Sequence, residues 1–274
     1  MSNSDGPILL VGCGKMGAAL LSGWLDRGIP ANTITVIEPT PQNAATAGEE
    51  GVTTLASIDA LPDDYAPRVV VFAVKPQVMA DVVPPYRCFA GPQTVFLSIA
   101  AGKAIGFFEA HLGADIVMVR AMPNTPAAIG RGVTVLFANA KAAQADRLLA
   151  ENLMAAAGDV AWIEDEALMD AVTAVSGSGP AYVFYMIECL AAAGVAAGLP
   201  VELSAHLARA TVEGSAALSH QEGSSPETLR QNVTSPGGTT AAALAVLMDD
   251  AKGLQDVMSR AVDAAAQRSR ELAD

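Results

Sequence analysis

A glycine pattern directly behind a short apolar run constrains the fold more than any other feature of the chain. Ile8–Val11 is wholly apolar and ends in Gly12-Cys13-Gly14-Lys15-Met16-Gly17, after which Leu20, Leu21 and Trp24 recur at helical spacing over residues 16–27. In the order strand, glycine turn, helix, each glycine has its own task. Gly12 permits a tight turn, Gly14 lets the backbone approach a pyrophosphate, and Gly17 lets helix and strand pack closely. The helix N-terminus adds N–H donors and a partial positive charge. Taken alone, the glycines mark only a tight strand-to-helix turn. The context adds more: a second strand over residues 34–38 ends in Glu38, about 20 residues on, where a carboxylate accepts hydrogen bonds from ribose hydroxyls.

Residues 69–74 and 95–99 are continuous apolar runs of strand length, the pattern of parallel strands buried on both faces. Residues 116–120 and 133–138 read as two more. Strands alternating with helices imply an α/β, Rossmann-type, doubly wound parallel sheet. Beyond Trp162 the texture changes to Ala/Leu/Val helical patterns broken at 177–180, 198–200, 223–226 and 235–238. The expected organisation is a dinucleotide-binding domain over residues 1–162 and an all-helical substrate-binding and dimerisation domain over 163–274. Such apolar helices favour burial against a second subunit over a solitary bundle.

The formal net charge of −13 argues against nucleic acid or an anionic membrane surface as partner, so an anionic cofactor has to be held by local N–H groups. Cys13, Cys88 and Cys189 are far apart, with no CxxC pair and no metal spacing, and read as free thiols of a reducing compartment. No leader sequence is evident, and no stretch approaches the ~20 apolar residues of a membrane span. A cytoplasmic location is the expectation.

The cofactor site is expected to comprise Gly12, Cys13, Gly14, Lys15, Met16 and Gly17, with Glu38 at the end of the second strand. To these are added Ala73, Val74 and Lys75 after the next long strand, Ala100 in the 98–102 loop, and Asn124 in the loop at 120–126. All lie at carboxyl ends of strands, the ligand side of such sheets. Lys75 reads equally well as a solvated lysine. A carboxylate at Glu38, with no Lys or Arg between Pro39 and Asn43, repels a 2′-phosphate, so NADH is slightly favoured over NADPH.

The helical half carries His206, His220 and Lys252, none in a glycine-rich loop. What it offers is two loops of small residues, 176–181 and 234–240, each preceding a helix and able to present N–H groups and hydroxyls to a carboxylate. Each is also readable as an N-cap with proline in the first turn. Here a specific resemblance emerges. With the glycine turn, AVKPQ at 73–77, RAMPNTP at 120–126, SGSGPAY at 176–182 and VTSPGGTT at 233–240, the chain resembles the pyrroline-5-carboxylate reductases over nearly its whole length. That resemblance implies hydride transfer from NAD(P)H to the C=N bond of 1-pyrroline-5-carboxylate, giving L-proline. It also implies helices that interlock into a homodimer, with a larger ring of dimers in many relatives. Ser235, Gly237, Gly238, Thr239 and Thr240 would surround the substrate, with Thr240 facing the imine nitrogen. The resemblance also implies Pro123 beside Asn124 near the nicotinamide and Pro76 beside Lys75 on the cofactor side. Relatives often carry an acidic residue shortly before the proline matching Pro226. The nearest here is Glu222, and no mechanism is rested on it.

The chemistry agrees with this composition. A cyclic imine is basic enough to arrive protonated, so orientation matters more than a strong general acid. A hydroxyacid dehydrogenase would want a placed lysine or histidine. A non-catalytic nucleotide sensor would have no need of the 234–240 loop.

Overall fold

The computed structural model describes residues 6–221 and 223–272. It divides into two compact units: one comprises the chain up to Gly177 and again from Ala265, the other Ser178–Ala264.

In the first unit β1 (Ile8–Val11), β2 (Ile34–Ile37), β3 (Thr53–Leu55), β4 (Val69–Phe72), β5 (Val95–Ser98), β6 (Val117–Met122), β7 (Gly132–Ala138) and β8 (Gly158–Trp162) form one sheet. Their order is β3-β2-β1-β4-β5-β6-β7-β8. Helices α1 (Lys15–Asp26), α2 (Pro41–Glu49), α3 (Met79–Val82), α4 (Ile105–Leu112) and α5 (Gln144–Met154) lie between strands, and α6 (Met169–Val172) follows the last. Every residue of β1, β2, β4 and β5 is buried. Because successive side chains point to opposite faces, each strand feeds two cores. Ile8, Leu10, Val69 and Val71 pack with Leu20 and Trp24, while Leu9, Val11, Val70 and Phe72 pack with Met79, Tyr86 and Phe108. Burying each large side chain contributes about 1.5–3 kcal/mol. The indole of Trp24 also donates to the Leu153 carbonyl at 2.9 Å, tying α1 to α5.

The sheet is parallel except at one place: β7 runs antiparallel to β6. Residues 123–131 are too few for the crossover that a parallel neighbour requires. β3 and β8 carry no clear sequence signal. β3 is only Thr-Thr-Leu, and β8 alternates between half-buried and exposed residues at the sheet edge.

The second unit contains α7 (Gly179–Ala196), α8 (Val201–Ser219), α9 (Pro226–Asn232) and α10 (Thr239–Leu247), and α11 (Leu254–Glu271) begins in it. α7 and α8 approach closely where Gly194 meets Ser204, whose hydroxyl donates to the Ala191 carbonyl at 2.7 Å. Little apolar surface is buried here. Val183, Phe184, Tyr185, Met186 and Leu190 of α7 are exposed, as are Leu203 and Leu207 of α8.

One expectation needs correction. α6, a π-helical stretch Thr173–Gly177 and α7 follow one another in a helical segment, Glu166–Ala196, long and apolar enough by those criteria alone to cross a membrane. The interruption expected at 177–180 is present as a bend at Ser178, the N-cap of α7, with Pro180 in the first turn, where a missing N–H is tolerated.

Candidate functional site

The sheet defines its own ligand edge. Ile37, Val11, Phe72 and Ser98 end β2, β1, β4 and β5 and are successive partners, so the segments leaving these strands start side by side, while β6, partnered there through Arg120, runs on to Met122 before its loop begins. The point where the chain turns from β1 to neighbours on either side is the switch point at which such sheets bind ligands.

Gly12 sits at φ +91°, a conformation L side chains rarely adopt, and a Cβ there would meet Val74 Cγ1 at 2.6 Å. Gly17 lies against the Gly12 carbonyl, leaving no room for a side chain. Gly14 differs from both: it is the N-cap of α1, has an ordinary φ of −70°, and a Cβ on it would meet nothing within 4 Å. No side chain caps this helix, so the first-turn N–H groups of Lys15, Met16 and Gly17 face an open cradle. That combination of open space and unpaired donors fits a pyrophosphate. Lys15 is exposed and Met16 half-buried.

Glu38 lies one residue beyond β2 and is only 6% exposed. One carboxylate oxygen accepts from Cys13 N at 2.8 Å and the other from Thr40 N at 2.9 Å. Burial by itself would raise this carboxyl, but those two bonds and the side chains of Thr40 and Asn43 outweigh it and hold Glu38 below the usual carboxylate range. Burial, and then the nearby Glu38 charge, push the Cys13 thiol up to about 11.

Ala73 follows β4, its N–H bonded to Val11 O, and half-buried Val74 leads to exposed Lys75, the N-cap of a 3₁₀ turn whose first residue is Pro76. Ala100 is buried and donates to the Ser98 hydroxyl. Pro123 and Asn124 follow β6, both buried. The Asn124 amide is held at both ends, accepting from Val133 N at 2.9 Å and donating to Ser176 O at 3.1 Å. One of its N–H bonds remains for a ligand. Arg120 pairs with Glu166 at 2.7 Å, and the same Glu166 oxygen accepts from Ile105 N at the start of α4.

In the second unit, residues 234–240 form a turn that opens α10. Gly237 has φ +67°, Gly238 is the N-cap and donates to Ser235 O at 3.0 Å, and no side chain caps the helix. The N–H groups of Thr239 and Thr240 are therefore without intrahelical acceptors. Ser235 and Thr239 are exposed and Thr240 half-buried. Glu222 lies outside the described residues.

Comparison with known proteins decides what this pairing of sites belongs to. Residues 166–272 match the family described as pyrroline-5-carboxylate reductase dimerisation, and residues 7–102 match "NADP oxidoreductase coenzyme F420-dependent". The pyrroline-5-carboxylate reductase of Pseudomonas aeruginosa is 40% identical over 97% of both chains. The structure of a pyrroline-5-carboxylate reductase from Coxiella burnetii superposes with a TM-score of 0.91 at 33% identity, covering 98% of this chain and 99% of that one. The chain belongs to the pyrroline-5-carboxylate reductase family.

A further structure, the Plasmodium falciparum pyrroline carboxylate reductase with NADP bound, has a TM-score of 0.84 at 29% identity, with both chains fully covered. Family membership makes the chain an NAD(P)H-dependent oxidoreductase with a Rossmann-type unit and an oligomerising helical region. The fold gathers the residues expected around the dinucleotide on one edge of the first unit, and gathers Ser235–Thr240 at the start of α10 in the second. Sequence reasoning did not foresee that the Glu38 carboxylate engages the glycine turn, or that Asn43 turns towards it. An acidic residue ending the strand beside the glycine turn was the available signal.

Proposed function

We propose the following division of labour for the family's reaction, reduction of the C=N bond of 1-pyrroline-5-carboxylate to L-proline. When bound, the reduced nicotinamide supplies the hydride to the imine carbon. The uncapped first turn of α1, reached across Gly14, holds the pyrophosphate of NAD(P)H, with Gly12, Cys13, Lys15, Met16 and Gly17 shaping that turn. Ala73, Val74, Lys75, Pro76 and Ala100 line the cofactor's path, and Pro123 and the remaining Asn124 N–H lie towards the nicotinamide. Glu38 takes the adenine ribose hydroxyls. Its depressed carboxyl stays charged at neutral pH, and residues 39–43 bring no cation, so NADH is the preferred donor.

The substrate carboxylate is held by the Ser235 hydroxyl and by the N–H groups of Thr239 and Thr240, while Gly237 and Gly238, whose own N–H closes the turn onto Ser235 O, shape the loop around it. Thr240 directs its hydroxyl to the imine nitrogen as an orienting donor. No strong acid is required, since the imine arrives protonated. The single observation that carries this reading is the uncapped N-terminus of α10 behind a Ser-Pro-Gly-Gly-Thr-Thr turn.

The exposed apolar faces of α7 and α8 are covered by a second copy, giving a dimer that is the unit of a larger ring, and the protein works in the cytoplasm. Steady-state oxidation of NADH and NADPH with pyrroline-5-carboxylate, followed by absorbance and with proline identified as product, tests the proposal. Higher kcat/KM with NADH is expected. A preference for NADPH would remove the ribose role of Glu38, and no turnover with either would remove the function.

A further inference from the structure

The two hydrogen bonds on Glu38 do more than fix its rotamer. β1 and β2 are paired up to Val11 and Ile37, and Gly12 N extends the ladder by one bond to Ile37 O at 2.8 Å. Cys13 is the first residue whose N–H has no backbone acceptor in the sheet. It is buried, and a buried N–H without a partner is costly. The Glu38 carboxylate supplies the missing acceptor at 2.8 Å and, through its other oxygen, holds Thr40 N at 2.9 Å, just before α2. One side chain thus clamps the glycine turn to the loop between β2 and α2. It also decides which donors face a ligand: Cys13 N is turned inward, so the phosphate-facing set begins at the first turn of α1.

We infer that Glu38 is a positioning residue that holds the glycine turn and the β2–α2 loop in one frame, and so governs affinity for NADH and NADPH alike. This rests on the cofactor reading above and adds to the ribose contact a role that acts through Cys13 and Thr40. A residue that only reads the ribose predicts opposite effects on the two cofactors, since removing its charge would weaken NADH and favour the 2′-phosphate. A frame-holding residue predicts losses of the same sign.

Glu38→Gln separates them. The amide has one oxygen for two N–H donors and turns an NH2 towards the other. Dissociation constants for both cofactors are measured by fluorescence of the bound dihydronicotinamide, without turnover. We expect both to rise by roughly tenfold, the worth of one hydrogen bond to a charged group. A rise for NADH with an unchanged or lower value for NADPH overturns the inference, and so does no change in either. If the unaltered protein binds neither cofactor, the cofactor reading itself fails. Hydrogen exchange on the unaltered, ligand-free protein gives a second test that does not depend on the variant folding. The Cys13 amide should exchange slowly, like the β1 amides, and exchange as fast as an exposed loop overturns the clamp.

Discussion

Gly14 and Gly17 are both glycines of one turn, yet the geometry assigns them different reasons. At Gly14 the backbone is already in a region open to alanine, and an added Cβ meets nothing. Gly14→Ala gains about 0.4–1 kcal/mol through the unfolded chain and gives back a similar amount because alanine is a poor N-cap. Folding stability should therefore stay within about 1 kcal/mol. The methyl group then projects into the space proposed for the pyrophosphate, and overpacking there is expected to cost about 1–3 kcal/mol of binding, roughly 5- to 150-fold in Kd. At Gly17 the added Cβ runs into the Gly12 carbonyl oxygen, with Ala73 Cβ at 3.4 Å on the other side. The same 1–3 kcal/mol then falls on the fold, offset by up to about 1 kcal/mol of helix propensity. Thermal unfolding and fluorescence titration with NADH on both variants give the comparison. Gly14→Ala should keep its Tm and lose the cofactor, while Gly17→Ala should lower Tm by about 2–4 °C per kcal/mol and weaken binding as well. If Gly14→Ala binds NADH within about twofold of the unaltered protein, the backbone at Gly14 is not where the cofactor comes closest.

Thr240→Ala should lower kcat by roughly fivefold, the worth of about 1 kcal/mol for one neutral hydrogen bond, with Thr240→Ser largely restoring it; a loss of several orders of magnitude would make Thr240 an essential acid. Because the folded Glu38 carboxyl is depressed, its stabilising contribution is complete above the unfolded value of about 4.3 and fades as pH falls through the folded value. The Tm difference between the unaltered protein and Glu38→Gln should accordingly be constant at neutral pH and shrink only in acid. At neutral pH iodoacetamide should label exposed Cys88 and spare Cys13, whose thiol is buried and pushed up to about 11; peptide mass analysis reads both sites. Phe184→Asp on the exposed face of α7 should lower the sedimenting mass, and an unchanged mass would place the contact elsewhere.

The parts of the fold legible in the sequence were those with a strong local cause. β1 and β4 are buried on both faces and wholly apolar, β5 is apolar but for its last residue, Ser98, and Gly12 and Gly17 between β1 and α1 each answer a steric demand. β3 and β8 escaped because edge strands need no apolar run, and the reversal at β7 is set by the short length of 123–131 and not by its composition. At the candidate site, residue types and spacing singled out the glycine turn, the loops after β4, β5 and β6, and the 234–240 loop, which the fold puts along one edge of the first unit and at the start of α10. They did not reveal the bond from Cys13 N to Glu38, because it depends on β1 and β2 lying side by side. Nor did they show that Asn124 is held at both ends, by residues as distant in sequence as Val133 and Ser176.

The proposed function stands on direct hydride delivery from a dinucleotide held by the Gly12–Gly17 turn to the imine carbon of pyrroline-5-carboxylate. Its most direct test uses a reduced cofactor deuterated at the transferable nicotinamide position, with mass analysis of the proline formed. Direct transfer predicts one deuterium, on the ring carbon that carried the double bond, and the deuterium should survive in ordinary water. Proline without deuterium, or with the label exchanged into solvent, would contradict it.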